Sequence, residues 1–140
     1  MRILLLLLLF ASLSAQAQEV IGRWKTIDDE TGEPRSIVDV FEKNGKVYGK
    51  VVKLLLPRGD DPDPSCVECD DDDDRYNKKV IGMEIMRDMV ENDGAYDSGN
   101  ILDPKNGRVY RCKIWVEGKD LKVRGYWGPF YRTQTWLRAQ

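Results

Sequence analysis

The C-terminal stretch from Leu121 to Arg138 constrains the fold more than any other part of the sequence. It contains two runs rich in β-branched and aromatic residues, separated by Gly128-Pro129. Such runs favour β-strands, and a Gly-Pro break between them indicates a hairpin. Chain ends usually fray unless they are tied down. We therefore expect the last strand to close a sheet by pairing with the first, around Gly22-Arg23-Trp24.

Strand patterns recur along the rest of the chain. Residues 20–26, 36–42, 46–56, 95–102 and 108–116 fit strands, and residues 80–90 fit either a strand or a helix, of which we favour the strand. Asn44-Gly45 and Asn92-Asp93-Gly94 have the chemistry of hairpin turns, and Gly99 fits a bulge. The expected fold class is all-β, a single antiparallel up-and-down β-barrel of about eight strands with one long acidic loop. An eight-stranded barrel is either filled by side chains or able to hold one small ligand.

The N-terminus has the pattern of a signal peptide. Arg2 is followed by an apolar run from Ile3 to Phe10 and by Ala15-Gln16-Ala17, a small-x-small cleavage site. We expect residues 1–17 to be removed and residues 18–140 to form one barrel domain, soluble in the periplasm or secreted. The apolar run is too short for a transmembrane helix.

Composition excludes several functions. The sequence has no histidine, which removes the usual general base near neutral pH and the commonest metal ligand. Nucleic acid is an improbable partner for an exported, net-acidic chain without a matching motif. The acids are concentrated: residues 60–74 contain nine and no base, within a loop insertion spanning residues 57–79. We hypothesise that this loop lies near a basic barrel surface, such as the one that carries Lys113, Lys122 and Arg124; the open alternative is a solubilising loop that makes no contacts.

Three cysteines are present. Cys66 and Cys69 form a Cys-x-x-Cys pair, but the surrounding acids disfavour the thiolate that redox catalysis requires. A structural disulfide is expected after export. Cys66–Cys69 and a bridge from either residue to Cys112 are all open. Without a bridge, Cys112 is expected to be a small buried hydrophobic residue.

The acidic run also offers hard oxygen ligands. The candidate calcium ligands are Asp70, Asp71, Asp72, Asp73 and Asp74. Their spacing does not match the EF-hand loop, and a solvated loop is the alternative. A zinc site of cysteines and an aspartate is less favoured, because oxidation of the thiols would compete.

Several spaced blocks resemble a known family. They are Gly22-Arg23-Trp24-Lys25-Thr26-Ile27-Asp28-Asp29, Ile101-Leu102-Asp103-Pro104 with Gly107 and Tyr110, Val123-Arg124-Gly125-Tyr126, and Arg132-Thr133-Gln134-Thr135-Trp136. Together they resemble the small secreted bacterial proteins of the domain-of-unknown-function family numbered 2147. The resemblance covers nearly the whole mature chain. It implies a lipocalin-like (calycin) barrel and no assigned activity. The acidic insertion is the part that it covers least well.

The last strand supplies the candidate ligand-binding residues. Arg132, Gln134, Trp136 and Arg138 share one parity; if that face points inward, the lumen is partly polar and cationic. If the other parity points inward, Tyr131, Thr133, Thr135 and Leu137 line the lumen. Trp24 would lie beside Arg138, where we favour structural stacking over a ligand role.

The sequence therefore leads to two functional hypotheses. The first is a non-enzymatic exported module that binds a small ligand at the barrel mouth, without a cofactor. The second is an envelope structural or protein-interaction module with a side-chain-filled barrel. Lumen volume distinguishes them, because only an open cavity can hold a ligand.

Overall fold

The structure is a computed structural model that describes residues 19–140; the predicted signal peptide, residues 1–17, lies outside the described residues. The strands are β1 (Gly22–Ile27), β2 (Pro34–Lys43), β3 (Lys46–Leu54), β4 (Glu84–Asn92), β5 (Ala95–Asp103), β6 (Arg108–Glu117), β7 (Asp120–Trp127) and β8 (Phe130–Arg138). They form a closed antiparallel barrel in sequence order. This confirms the predicted eight-stranded up-and-down barrel.

The closure takes place where the sequence predicts it. Trp24 of β1 pairs with Arg138 of β8, and Lys25 pairs with Leu137. A closed barrel leaves no unpaired sheet edge for other chains to bind. Within residues 19–140, the chain forms no helix long and apolar enough to cross a membrane.

The tight turns follow from residues that tolerate positive φ. Asn44 and Gly45 have φ of 53° and 77°, and Asp93 and Gly94 have φ of 52° and 86°. Positive φ at both central residues is the signature of the type I′ turn, whose twist matches that of the flanking strands. These two turns fix the registers of the β2–β3 and β4–β5 hairpins.

The barrel interior is filled by large side chains. In β2 the alternating residues Ser36, Val38 and Val40 are buried, and the residues between them are partly exposed. A side chain with no accessible surface borders no space that a water molecule can enter. The hydrophobic side chains exposed by 1% or less are Val20, Trp24, Val38, Val40, Cys66, Met86, Met89, Leu102, Ile114 and Leu121.

Two strand glycines make this packing possible. A Cβ on Gly49 would lie 3.1 Å from the Cβ of Met86. A Cβ on Gly99 would overlap the carbonyl oxygen of Arg87 and lie 2.5 Å from the sulfur of Met89. The β5–β6 pairing shifts between Tyr96 and Gly99, as the bulge predicted at Gly99 requires. The glycines therefore leave room for two methionines in the core.

The connection between β3 and β4 is more ordered than the sequence suggests. The sequence predicts an acidic loop over residues 57–79 and a strand over residues 80–90. Instead Cys66, Cys69, Val80 and Met83 belong to the buried core cluster, and β4 begins only at Glu84. These side chains are far apart in sequence and show no periodicity, so no local pattern reveals that they pack together.

Candidate functional site

The mouth of the barrel, between the β1–β2 loop and the start of β8, carries a polar chain of contacts. Trp136 Nε1 donates a hydrogen bond to Gln134 Oε1 at 3.0 Å, and Gln134 Nε2 donates to Asp29 Oδ2 at 2.9 Å. Arg132 completes the chain with a nitrogen 3.6 Å from the same carboxylate. Trp136 is buried, whereas Tyr131 and Leu137 on the other parity are exposed. The parity of Trp136 therefore points inward.

Trp24 and Arg138 are at the other end of the barrel. The Arg138 guanidinium lies 3.8 Å from the centroid of the Trp24 ring. Its nitrogens donate hydrogen bonds to the carbonyl oxygens of Ile21 and Glu19 at 3.1 and 2.8 Å, and Trp24 Nε1 donates to Val20 at 2.8 Å. These contacts are all within the protein, so Trp24 and Arg138 hold residues 19–21 against this end of the barrel. The five predicted ligand-binding residues thus do not form one site.

The acidic run is held by arginines. Arg75 is buried, with 5% of its surface exposed. Its Nε and Nη2 donate hydrogen bonds to the two carboxylate oxygens of Asp73, both at 2.9 Å. Its Nη1 donates a hydrogen bond to the carbonyl oxygen of Glu84 at 3.0 Å. Arg87 of β4 donates to both oxygens of Asp74 at 2.8 and 3.0 Å. For Asp73 and Asp74, the expectation that the acidic loop lies near Lys113, Lys122 and Arg124 is therefore wrong. The physical reason is that closer arginines, in the loop and on β4, bind these carboxylates.

The remaining aspartates, Asp70, Asp71 and Asp72, are exposed. In the part of the chain that the structure describes, no group of three or more His, Cys, Asp or Glu residues is placed to hold a metal ion. Two of the five candidate ligands are already bound to arginines. We therefore do not carry the calcium hypothesis further.

The Arg75 hydrogen bonds lower the pKa of Asp73 from 3.8 to about 2. A depressed carboxyl pKa stabilises the fold at pH values above the unfolded pKa, and the stabilisation is lost as pH falls towards the folded pKa. When the pH falls from 5 to 2, we expect the free energy of unfolding of the parent protein to drop by about 1–2 kcal/mol more than that of Asp73→Asn. Urea unfolding at both pH values measures the difference. Equal losses would show that the Asp73–Arg75 pair does not contribute.

The cysteines are divided between a disulfide and a free thiol. Cys66 and Cys69 are bonded, with their Cα atoms 5.4 Å apart, which confirms the expected disulfide and selects one of the open pairings. Cys112 is free and buried. Burial raises the pKa of the Cys112 thiol to about 12, so it stays protonated and acts as a small apolar side chain.

The most distinctive surface lies on the outside of β6, β7 and β8; the sequence analysis named three of its cations, Lys113, Lys122 and Arg124, but missed its aromatic residues. We call it the basic aromatic face, and it consists of Arg111, Lys113, Trp115, Lys122, Arg124, Tyr126 and Tyr131. The strand registers place these residues in rows: Arg111 pairs with Tyr126 and Tyr126 with Tyr131, Lys113 pairs with Arg124, and Trp115 pairs with Lys122. The alternating Arg-x-Lys-x-Trp and Lys-x-Arg-x-Tyr patterns could have revealed the face.

The cations of the basic aromatic face are held over aromatic rings. The Arg124 guanidinium lies 4.4 Å from the Tyr131 ring centroid and 4.9 Å from that of Trp115. Arg111 lies 5.6 Å from the centroid of Tyr126. A groove of about 390 Å³ borders the face; Lys113, Trp115 and Arg124 line it together with the acidic residues Glu19 and Asp93. The face therefore presents cations in fixed positions beside aromatic rings.

The β7–β8 hairpin tip lies at the end of the face and exposes large apolar rings. Trp127 and Phe130 pair with each other on the parity of Trp136, whereas Tyr131 has the outward parity of the face. Trp127 is 64% exposed and Phe130 is 70% exposed, on either side of Gly128-Pro129. Tyr131, which follows in β8, is 62% exposed. Clusters of exposed apolar side chains on a small domain mark interaction surfaces more often than scattered single residues do.

A closed eight-stranded antiparallel up-and-down barrel of this kind has a lipocalin-like fold. The chain belongs to the family described as "Uncharacterized protein conserved in bacteria (DUF2147)", whose family model matches residues 22–138. Among solved structures it is similar to one titled "Protein HP1028 from the human pathogen Helicobacter pylori belongs to the lipocalin family". That likeness has a TM-score of 0.71 at 21% sequence identity and covers 86% of this chain and 82% of that chain. No curated protein matches the sequence.

Proposed function

We propose that the protein is a non-enzymatic, exported interaction module, which binds a partner in the bacterial envelope through the outer surface of its barrel. The observation that carries this proposal is the filled interior. Trp24, Met86, Met89 and Ile114 are 0% exposed, so they border no space for a ligand. A ligand-carrying barrel needs a cavity of about 300 Å³ or more.

The basic aromatic face is the interaction surface in this proposal. Tryptophan, tyrosine and arginine are enriched where proteins bind partners, because they combine large apolar area with directional polar groups. The face and the adjoining tip contain these residue types, and Trp127 and Tyr131 are exposed. A non-enzymatic role is supported by the lack of histidine and by the buried, protonated thiol of Cys112.

Export is supported by the N-terminal sequence pattern and by the Cys66–Cys69 disulfide, since such bonds persist in oxidising compartments. The leader is expected to be cleaved before Gln18. N-terminal sequencing of the protein from the envelope fraction checks the cleavage point.

A small ligand at the mouth is the second candidate function. The Asp29–Gln134–Trp136 chain of hydrogen bonds favours it, because an incoming polar group could exchange for one of these partners. The lipocalin title of the structural neighbour points the same way. Such a ligand would be confined to the mouth, since the side chains below it are fully buried.

The proposed function is tested by comparing two charge-matched double variants. Lys122→Ser/Arg124→Ser removes two cations from β7, and Lys46→Ser/Lys50→Ser removes two from β3, on the opposite side of the eight-stranded barrel. We expect only the β7 variant to lose co-sedimentation with washed envelopes. Equal retention of both variants, with circular dichroism unchanged, would contradict the proposed interaction surface.

A further inference from the structure

Charge is distributed unevenly around the barrel. From Lys105 onward the sequence has nine bases and two acids, Glu117 and Asp120, whereas residues 60–74 have nine acids and no base. The structure binds Asp74 of the acidic segment to Arg87 of β4, and it packs the carbonyl of Glu68 against Gly107 in the β5–β6 turn. A molecule with such separated charges turns its basic side towards an anionic surface.

The cations of the basic aromatic face are positioned mainly by neutral groups. Lys122 Nζ donates a hydrogen bond to Thr135 Oγ1 at 2.7 Å, and Arg124 Nε donates to Thr133 Oγ1 at 2.8 Å. The carboxylate of Glu117, 67% exposed, lies 3.9 Å from Lys122. Hydroxyl groups and aromatic rings orient a cation without cancelling its charge, so the face keeps its positive potential.

The hairpin tip adds an apolar component that a soluble anion cannot satisfy. Phe130 is 70% exposed and has no polar atom in its side chain. Trp127 and Tyr131 have an apolar body with one polar group, the type of side chain enriched at the boundary between lipid headgroups and acyl chains. A bilayer accepts such rings and also offers anionic headgroups to the neighbouring cations.

We propose that the basic aromatic face docks on an anionic bilayer surface, with its cations against lipid phosphates and with Trp127 and Phe130 at the headgroup boundary. This inference rests on the proposed function, because it names the partner of the same surface.

The expected strength follows from the charges. Each lysine or arginine near an anionic membrane strengthens binding by about fivefold. Removing two cations should therefore weaken the partition coefficient by about twenty-five-fold. Because the interaction is screened over about 8 Å at physiological ionic strength, higher salt should weaken the cationic component and leave the aromatic component.

The test measures co-sedimentation with vesicles of phosphatidylcholine alone and of phosphatidylcholine with phosphatidylglycerol. The protein and its variants are purified in the form that an expressing bacterium exports. We expect much stronger binding to the anionic vesicles than to phosphatidylcholine alone, a loss of about twenty-five-fold for Lys122→Ser/Arg124→Ser on the anionic vesicles, and a change under about threefold for the charge-matched Lys46→Ser/Lys50→Ser. Trp127→Ser/Phe130→Ser should remove the part of the binding that survives high salt.

The outcomes separate this inference from the proposed function. If a soluble polyanion or an envelope protein binds the face and anionic vesicles do not, the membrane proposal is overturned and the interaction surface remains. If Lys122→Ser/Arg124→Ser and Lys46→Ser/Lys50→Ser bind anionic vesicles equally, only the overall charge of the protein matters, and the proposed docking geometry is wrong. Equal vesicle binding by parent and tip variant at high salt would overturn the role of Trp127 and Phe130.

Discussion

Replacing Trp24 with alanine is expected to lower the free energy of unfolding by about 3–5 kcal/mol, the range for large-to-small changes in a packed core. Trp24 is 0% exposed, and its ring supports the Arg138 guanidinium at 3.8 Å. The change also removes the hydrogen bond from Trp24 Nε1 to Val20. The end of the barrel that contains Trp24 and Arg138 would thus lose core packing, and residues 19–21 would lose one of the contacts that hold them there.

Urea unfolding followed by circular dichroism measures this loss. Trp127→Ala is the matched control, because the same residue type is 64% exposed at the hairpin tip; it should change stability by less than about 0.5 kcal/mol. A loss below about 1 kcal/mol for Trp24→Ala would place that ring outside a packed core and contradict the closure described here.

Replacing Gly99 with alanine is expected to cost about 3 kcal/mol, at the upper end of the usual overpacking range. The new Cβ would overlap the carbonyl of Arg87 and lie 2.8 Å from the carbonyl carbon of Asp88, so the backbone of β4 would have to move. Met89 Sδ, 2.5 Å away, is flexible, but the backbone atoms are not. The effect is steric, since Gly99 is not among the residues with positive φ.

Gly125→Ala provides the control within the same row of the sheet. Gly99 and Gly125 both pair with Cys112, one on each side. At Gly125 a Cβ would lie 3.4 Å from the Cβ of Tyr110, an ordinary contact. Gly125→Ala should change the free energy of unfolding by less than about 1 kcal/mol, because alanine also reduces the conformational entropy of the unfolded chain. Similar thermal unfolding of the two variants would contradict the close approach at Gly99.

The barrel could be predicted from sequence because its signals are local. Asn44-Gly45 and Asp93-Gly94 have turn chemistry that determines a hairpin by itself. Pairing of Trp24 with Arg138 followed from one non-local inference, that an aromatic-rich C-terminal strand requires a partner. With about eight strands in sequence order, pairing of the last strand with the first closes the barrel, and the pairing of β1 with β8 confirms this closure.

The candidate site was harder to predict, for two physical reasons. Strand β8 has large side chains on both parities, Tyr131 and Leu137 on one and Trp136 on the other, so hydrophobicity alone could not tell which parity points inward. The order of the acidic loop depends on the buried guanidinium of Arg75. A buried arginine cannot be recognised from sequence when most arginines are exposed.

The central claim is that the barrel is filled and works through its outer surface. Native mass spectrometry of the protein extracted gently from the envelope tests it most directly. The account predicts the mass of the chain with one disulfide and no small molecule retained in stoichiometric amount. The contrary result is a small ligand that is bound in stoichiometric amount and is released on unfolding. If Gln134→Ala loses this ligand and the control Lys46→Ser/Lys50→Ser retains it, the filled barrel is contradicted and binding at the mouth is established instead.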